Sequence, residues 1–175
     1  MPDVTDAGFL TLCLNPVLQR TLAFPALRTG AVNRTGEHRV DASGKGINVA
    51  RVLTQLGARA TALTTAGGRF AEFFLELTRR GQLTVERVAS GAEIRWCTTV
   101  LDRQARSTTE LVEEAPPVAE GTEAAVRTAY ERLLSHHHTV TLSGTKAPGF
   151  SAALYADLAR AARAANRRLI VDLSG

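Results

Sequence analysis

The chain has 175 residues, the length of one ordinary domain, with 45% hydrophobic and 22% charged residues. This composition supports a globular core and excludes collagen, coiled-coil and disulfide-rich mini-protein classes. No apolar run approaches the roughly 18 residues that a membrane span needs, and residues 1–6 lack a signal-peptide pattern. We therefore expect a cytoplasmic protein with no membrane association. Cys13 and Cys97 lie in strand-like runs and predict buried thiols in a reducing compartment.

The formal net charge is +4, and the basic residues are almost all arginines spread along the chain. A nucleic-acid-binding protein usually shows a basic cluster with interleaved aromatic residues, whereas aromatics make up only 5% here. We expect no nucleic-acid partner, while a bias toward small anionic ligands stays open.

Short apolar runs bounded by turn residues predict strands at 9–14, 60–65, 83–88, 94–101, 108–112, 139–142 and 169–172. Apolar residues at helical spacing predict four core-facing helices, with the stripes at 49–56, 70–77, 126–134 and 154–165. In the first of these the expected core stripe is Val49, Val52, Leu53 and Leu56. Residues 21–41 carry several turn residues and predict one or two exposed hairpins.

Strands that alternate with helices predict an α/β fold, a parallel sheet covered on both faces. Segments 20–41 and 93–112 do not fit this layer, so we expect them to form a small antiparallel flap beside it. The last predicted strand ends at Asp172 with no helix after it. An uncovered strand exposes apolar surface, which suggests a truncated or unusually short form of the fold.

One glycine-rich segment, Asp41-Ala-Ser-Gly-Lys-Gly-Ile-Asn-Val-Ala50, immediately precedes the first helical stripe. Glycines at a helix start let backbone N–H groups approach an anion, and Lys45 adds a positive charge. Asn48 falls in the first turn, near any ligand held there. The spacing matches neither a P-loop nor a dinucleotide fingerprint. A tight loop at a helix start explains the segment equally well.

Several segments together resemble the PfkB family of carbohydrate kinases, which have the ribokinase-like fold. The resemblance covers the chain from about residue 9 onward, and its branch is that of 1-phosphofructokinase, tagatose-6-phosphate kinase and the minor 6-phosphofructokinase. It is carried by Leu14-Asn-Pro-Val17, Gly30-Ala-Val-Asn-Arg34, Gly44-Lys-Gly-Ile-Asn-Val-Ala-Arg-Val-Leu53, Gly67-Gly68, Arg95, Thr109-Glu-Leu111, Leu142-Ser-Gly-Thr145 and Asp172-Leu-Ser-Gly175.

The resemblance implies a three-layer αβα fold and ATP-dependent phosphorylation of a hexose phosphate, with ATP and Mg²⁺ as cofactors. Residues 1–175 would be the N-terminal, substrate-side part, with the C-terminal half missing. The flap at 20–41 and 93–112 would be a β lid that also pairs two subunits into a homodimer.

The resemblance also assigns substrate-binding residues. Gly44, Lys45 and Asn48 match the family's motif around the sugar. Arg95 matches the arginine near the substrate phosphate, and Ser143 and Gly144 match a segment that lines the same cleft. Gln19 occupies the position where the family has an Asp that holds sugar hydroxyls. Strand alternation independently places Arg95, Cys97 and Thr99 on one face.

Other positions depart from the family pattern. Ser43 replaces a glycine, Cys97 replaces an Asn, and the family's S-G-S-L-P-P-G is Ser143-Gly-Thr-Lys-Ala-Pro-Gly149. The family's catalytic Gly-Ala-Gly-Asp does not occur in the 175 residues, so no catalytic base is assigned; Asp172 is the first candidate by position. An alternative function is a non-catalytic sugar-phosphate-binding or assembly module. We expect no metal site, because the consecutive His136, His137 and His138 cannot all face one ion.

Overall fold

The computed structural model describes residues 8–173. In chain order its elements are β1 (Phe9–Cys13), β2 (Val17–Phe24), β3 (His38–Ser43), α1 (Lys45–Gln55), β4 (Ala60–Gly67), α2 (Ala71–Arg80), β5 (Thr84–Glu93), β6 (Arg95–Asp102), β7 (Ser107–Val112), α3 (Thr122–Leu134), β8 (Thr139–Ser143), α4 (Leu154–Ala164) and β9 (Arg168–Asp172). The strands form two sheets. Sheet A has the order β5-β4-β1-β8-β9, and sheet B has the order β3-β2-β6-β7.

Sheet A is entirely parallel and carries helices on both faces. Leu10 and Leu12 of β1 are fully buried in one cluster with Tyr130 of α3 and residues of α4. Cys13 of the same strand belongs to the opposite cluster, with residues of α1 and α2 such as Phe74. Because successive side chains of a strand point to opposite faces, this division defines three layers. The predicted αβα architecture with a mainly parallel sheet is confirmed.

Sheet B differs from the expected antiparallel flap because its central pairing is parallel. Strands β2 and β3 pair antiparallel, as do β6 and β7, but β2 and β6 run in the same direction. The reason is topological: β2 follows the parallel strand β1 and β6 follows the parallel strand β5, so both leave sheet A at its carboxyl edge. Strand β2 also begins at Val17, earlier than the segment expected from the turn residues.

The predicted core face of α1 is correct only in part. Leu53 packs against the core, but Val52 is 52% exposed and Leu56 is 77% exposed, and the buried residues of this helix are Gly46, Ile47 and Ala50. The first turn of α1 approaches sheet A most closely at Gly46, where a Cβ atom would lie 2.0 Å from the carbonyl oxygen of Leu12. The stripes of the other helices are confirmed in their central positions, such as Phe74 of α2.

The outer strand of sheet A exposes apolar side chains. In and just after β9, Ile170 is 49%, Val171 is 50% and Leu173 is 44% exposed. This strand pairs only with β8 among the described residues. The exposed apolar surface expected from the sequence is therefore present at this edge.

An ionic cluster joins α3 to α4 and to the segment just before it. The carboxylate of Glu123 accepts hydrogen bonds from the backbone N–H of Ser151 at 2.7 Å and from its hydroxyl at 2.9 Å. Arg127 bridges Glu123 and Asp157, with 2.7 Å to each carboxylate. The N–H of Ser151 and, to a smaller extent, Arg127 lower the pKa of Glu123 below its ordinary 4.5.

We predict that Glu123→Gln destabilises the fold at neutral pH by about 1–3 kcal/mol, the range for a charged hydrogen bond. Since the folded-state pKa is lowered, the carboxylate stabilises the fold above pH 4.5, and this contribution is lost as the pH falls through the lowered value. Urea unfolding between pH 3 and 7 checks this. Glu120→Gln, an exposed change just before α3, is the control. A difference from wild type that is constant across this pH range would contradict the prediction.

Candidate functional site

The first turn of α1 lies directly on the carboxyl end of β1. A Cβ atom added at Gly46 would lie 2.0 Å from the carbonyl oxygen of Leu12, and one added at Gly44 would lie 2.4 Å from Sγ of Cys13. Gly44 also has a φ of +123°, a conformation that other residues rarely adopt. The glycines of the Gly-Lys-Gly segment are therefore required for the helix N-terminus to reach the strand end.

The thiol of Cys13 lies directly beneath the start of α1, next to Gly44. Both cysteines of the chain are free and buried, as the sequence predicts. Burial raises the pKa of Cys13, and this outweighs nearby backbone N–H groups, Ile47 first, that favour the thiolate. A protonated thiol at this position adds no negative charge to the helix N-terminus.

Lys45 lies over the carboxyl ends of β8 and β9. Its side-chain carbons lie 3.1–3.2 Å from the position that a Cβ of Gly144 would occupy. Its ammonium group is 3.7 Å from a carboxylate oxygen of Asp172, and both side chains are at least half exposed, so this ion pair is weak. The first turn of α1 contains no acidic residue. The ammonium group and the positive end of the helix dipole together favour an anion here.

Asn48 is oriented by two neighbours. Its Oδ1 accepts a hydrogen bond from Nη1 of Arg51 at 2.5 Å and lies 3.3 Å from the hydroxyl of Ser43. The second terminal nitrogen of Arg51, Nη2, donates to the carbonyl oxygen of Ala42. Asn48 is exposed, and none of the described residues accepts a hydrogen bond from its Nδ2. This amide N–H₂ group is available to a ligand.

Arg95 begins β6 at the base of sheet B. Its Nη1 donates to the carbonyl oxygen of Glu113 at 3.2 Å, while its Nε is buried without a partner among residues 8–173. Asn15 has a similarly unpartnered Oδ1, and both residues line a small cavity of about 20 Å³ that Ala147 also borders. Asn15 and Ala147 follow β1 and β8, so Arg95 also lies at the carboxyl edge of sheet A.

Gln19 lies farther out on sheet B, on the same face as Arg95. Its Nε2 donates to the hydroxyl of Thr99 at 2.6 Å. The alternation along β6 is as predicted for Trp96, which points to the other face and contacts Phe70 edge-on at 5.5 Å. The predicted site residues thus form two groups, one at the carboxyl edge of sheet A and one on sheet B.

The two groups are separate in this structure. Gly44, Lys45, Asn48, Ser143 and Gly144 lie on sheet A and α1, and Gln19 and Arg95 lie on sheet B. Within residues 8–173 no hydrogen bond or ion pair joins one group to the other.

Sequence reasoning did not select Asn15 or Asp41 as site residues. Asn15 donates from Nδ2 to the hydroxyl of Thr145 at 3.0 Å and so links the ends of β1 and β8. An Asn-Pro pair directly after a buried strand was a usable signal for it. Asp41 lies opposite Gln19 across the β2–β3 pair, a position that only the register reveals.

Among residues 8–173, no three His, Cys, Asp or Glu side chains gather in a way that could hold a metal ion. His137 contacts protein groups through both ring nitrogens, at 2.7 Å from the carbonyl oxygen of Leu133 and 3.0 Å from the hydroxyl of Thr61. No helix in this part of the chain is long and apolar enough to cross a bilayer.

In a comparison with known protein families, residues 12–175 match the model of the pfkB family carbohydrate kinases. The chain belongs to the pfkB family.

Solved structures of pfkB-like kinases have the same fold. A "possible 1-phosphofructokinase" of Thermotoga maritima is 25% identical, with a TM-score of 0.90, over 95% of this chain and 54% of its own. Phosphofructokinase-2 of Escherichia coli in complex with fructose-6-phosphate is 26% identical, with a TM-score of 0.81, over 97% of this chain and 55% of its own. The same enzyme in its tetrameric inhibited form gives a TM-score of 0.83.

These similarities establish the ribokinase-like fold that the motifs suggested, and a relationship to sugar-phosphate kinases. The pfkB chain described here spans about half the length of the kinases it matches. Of the family-like segment Asp172-Leu-Ser-Gly175, the residues Ser174 and Gly175 lie outside the described residues.

We predict that Gly46→Ala displaces α1 and lowers the unfolding free energy by about 3 kcal/mol, the upper range for overpacking. The reason is that the new methyl group meets backbone atoms of Leu12 and Cys13, which cannot rotate away. Gly36→Ala, at a glycine with open space around it and no positive φ, is the matched control. Urea unfolding of both variants measures the effect. A Gly46→Ala variant as stable as the control would disprove the close approach.

Proposed function

We propose that the chain forms the substrate-binding part of an ATP-dependent phosphosugar kinase. The acceptor is a hydroxyl of a hexose phosphate such as fructose 1-phosphate, fructose 6-phosphate or tagatose 6-phosphate. The observation that carries the proposal is the cationic edge of sheet A, where Lys45 and the N-terminus of α1 lie with no acidic residue in the first turn. The family membership and the fold of the neighbours support the same reaction class.

In this proposal the phosphate of the substrate binds Lys45 and Arg95, whose charged N–H groups form the strongest hydrogen bonds with phosphate oxygens. The remaining polar contacts hold the sugar. They come from the backbone at Gly44 and Gly144, the amide of Asn48, the hydroxyl of Ser143 and the amide of Gln19. Fixing the sugar at several points serves phosphoryl transfer, because this reaction depends mainly on positioning and charge stabilisation.

ATP with Mg²⁺ would supply the phosphoryl group, but residues 8–173 contain no carboxylate cluster for the metal. Asp172, the first candidate base by position, is 71% exposed and lies 3.7 Å from the ammonium group of Lys45, and no contact in the structure assigns it that role. We therefore assign neither ATP nor Mg²⁺ to this part of the chain, and no step of the transfer to its residues.

We further propose that sheet B is a lid over the bound sugar and that two lids pair in a homodimer. The edge strand β7 exposes Leu111 by 58% on one face of sheet B and Val112 by 50% on the other, so a second copy pairing along this edge would cover an apolar side chain on each face. A cytoplasmic location accords with the two free, buried thiols.

A second candidate is a non-catalytic sugar-phosphate-binding or assembly module. The residues that favour it are Gln19, Ser43 and Cys97, which replace an Asp, a Gly and an Asn of the family pattern. Catalysis would be dispensable for such a module, whereas sugar-phosphate binding would remain.

We predict that the 175-residue chain alone transfers no phosphate from ATP to a hexose phosphate, because no base has been identified in it. A coupled ADP-release assay with the three hexose phosphates named above measures this. Sugar-dependent turnover that survives repurification would contradict the prediction, and Asp172→Asn would then test the first candidate base.

We also predict that the chain binds a hexose phosphate with a dissociation constant near the millimolar range, about −4 kcal/mol. Lys45→Ala and Arg95→Ala should each weaken binding about tenfold, since a charged hydrogen bond contributes about 1.5 kcal/mol or more. Added salt should weaken it further. Calorimetric titration of the chain with the hexose phosphate, compared with the same titration with inorganic phosphate, measures how much the sugar contributes to the affinity.

The matched controls for these titrations are Lys146→Ala, at the only other lysine, and Arg79→Ala, at an exposed arginine near the end of α2. Neither should change the affinity. A hexose phosphate that binds no more tightly than inorganic phosphate would defeat the proposed function, as would Lys45→Ala and Arg95→Ala variants with unchanged binding.

A further inference from the structure

The register of sheet B places a carboxylate beside Gln19. Asp41 of β3 pairs with Gln19 of β2, which in turn pairs with Cys97 of β6, so the three form one row across the sheet. The row two residues closer to sheet A contains Ser43, Val17 and Arg95. Side chains two residues apart on a strand point to the same face, so Asp41 shares the face of Arg95.

The hydrogen bonds of this row leave a charged acceptor available. Gln19 turns its N–H₂ group toward Thr99 on β6, away from β3. Asp41 accepts a hydrogen bond through Oδ2 from Nε of Arg39 at 2.6 Å, and none of the described residues donates to its Oδ1. Its side chain is 33% exposed, partly shielded yet open to a ligand.

Arg39 occupies one oxygen of this carboxylate. Arg39 and Asp41 are two residues apart on β3 and therefore share a face, and the contact leaves the second oxygen of Asp41 without a protein donor among the described residues. An ionised carboxylate only accepts hydrogen bonds, and it accepts them more strongly than a neutral amide. The group that complements its open oxygen is a hydroxyl or another donor.

We propose that Asp41 determines specificity for the sugar part of the substrate, by accepting a hydrogen bond from a hydroxyl of the bound sugar phosphate. This inference rests on the proposed function, in which Lys45 and Arg95 bind the phosphate. Attraction of the phosphate to Lys45 and Arg95, and the open carboxylate oxygen of Asp41 farther out, orient the ligand. The phosphate lies toward sheet A, and the hydroxyl-bearing carbons lie along the row that contains Asp41 and Gln19.

The test is calorimetric titration of the 175-residue chain with fructose 6-phosphate and, separately, with inorganic phosphate. Asp41→Asn should weaken fructose 6-phosphate binding about tenfold and leave inorganic phosphate binding unchanged. Glu110→Gln is the matched control. Glu110 lies on the same face of sheet B, opposite Thr99 on the edge strand β7, and it is fully solvent-facing. This control should change neither affinity.

A rescue variant separates a role in hydrogen bonding from a structural one. In Gln19→Asp combined with Asp41→Asn, the carboxylate moves one strand across the same row, and fructose 6-phosphate binding should recover at least threefold. If Asp41→Asn does not fold, as judged by urea unfolding, Asp41→Thr provides the same comparison with a residue that favours strands.

The outcomes distinguish this inference from the proposed function. If Lys45→Ala weakens binding and Asp41→Asn does not, the role of Asp41 is wrong and the proposed function stands. If Asp41→Asn weakens inorganic phosphate equally, the residue acts only through Arg39 on the fold of the lid, and the inference is again wrong. If the unmodified chain binds fructose 6-phosphate no better than inorganic phosphate, both fail together.

Discussion

The close contact between the first turn of α1 and the end of β1 is the constraint on which the site depends. A side chain at Gly46 would overlap the backbone at Leu12, so the helix can begin at this place only with glycine there. Once it does, Lys45 must lie beside Gly144, and Asn48 must face Ser43 at the base of sheet B. A single backbone approach thus gathers residues from three parts of the sequence at one edge of the sheet.

The charge at this edge follows from the same contact. The helix N-terminus brings partial positive charge to the strand ends, Lys45 adds a full charge, and the buried thiol of Cys13 stays protonated. Among residues 8–173 the carboxylate nearest to Lys45 is that of Asp172, which is largely exposed and 3.7 Å away, too solvated to neutralise the lysine. A site with this charge and several neutral hydrogen-bonding groups suits a phosphorylated, hydroxyl-rich ligand better than a neutral sugar.

The sequence predicted most of sheet A because its signals are local. The apolar run of β8 and the stripe around Tyr130 depend on residues that are neighbours along the chain. The core face of α1 could not be predicted in this way, since burial of Ala50 and exposure of Leu56 depend on how closely the helix meets the sheet. The parallel β2–β6 pairing and the position of Asp41 likewise depend on register between distant segments, which periodicity does not encode.

The most direct test of the account is to locate the bound ligand by amide chemical shifts of the ¹⁵N-labelled chain during titration with fructose 6-phosphate. We expect the largest changes in the first turn of α1, at residues 143–145 after β8, and at Arg95 of sheet B. A second cleft lies near Thr54 and His136, at the amino end of sheet A. Changes concentrated there, with the first turn of α1 unaffected, would contradict the assignment of the substrate site.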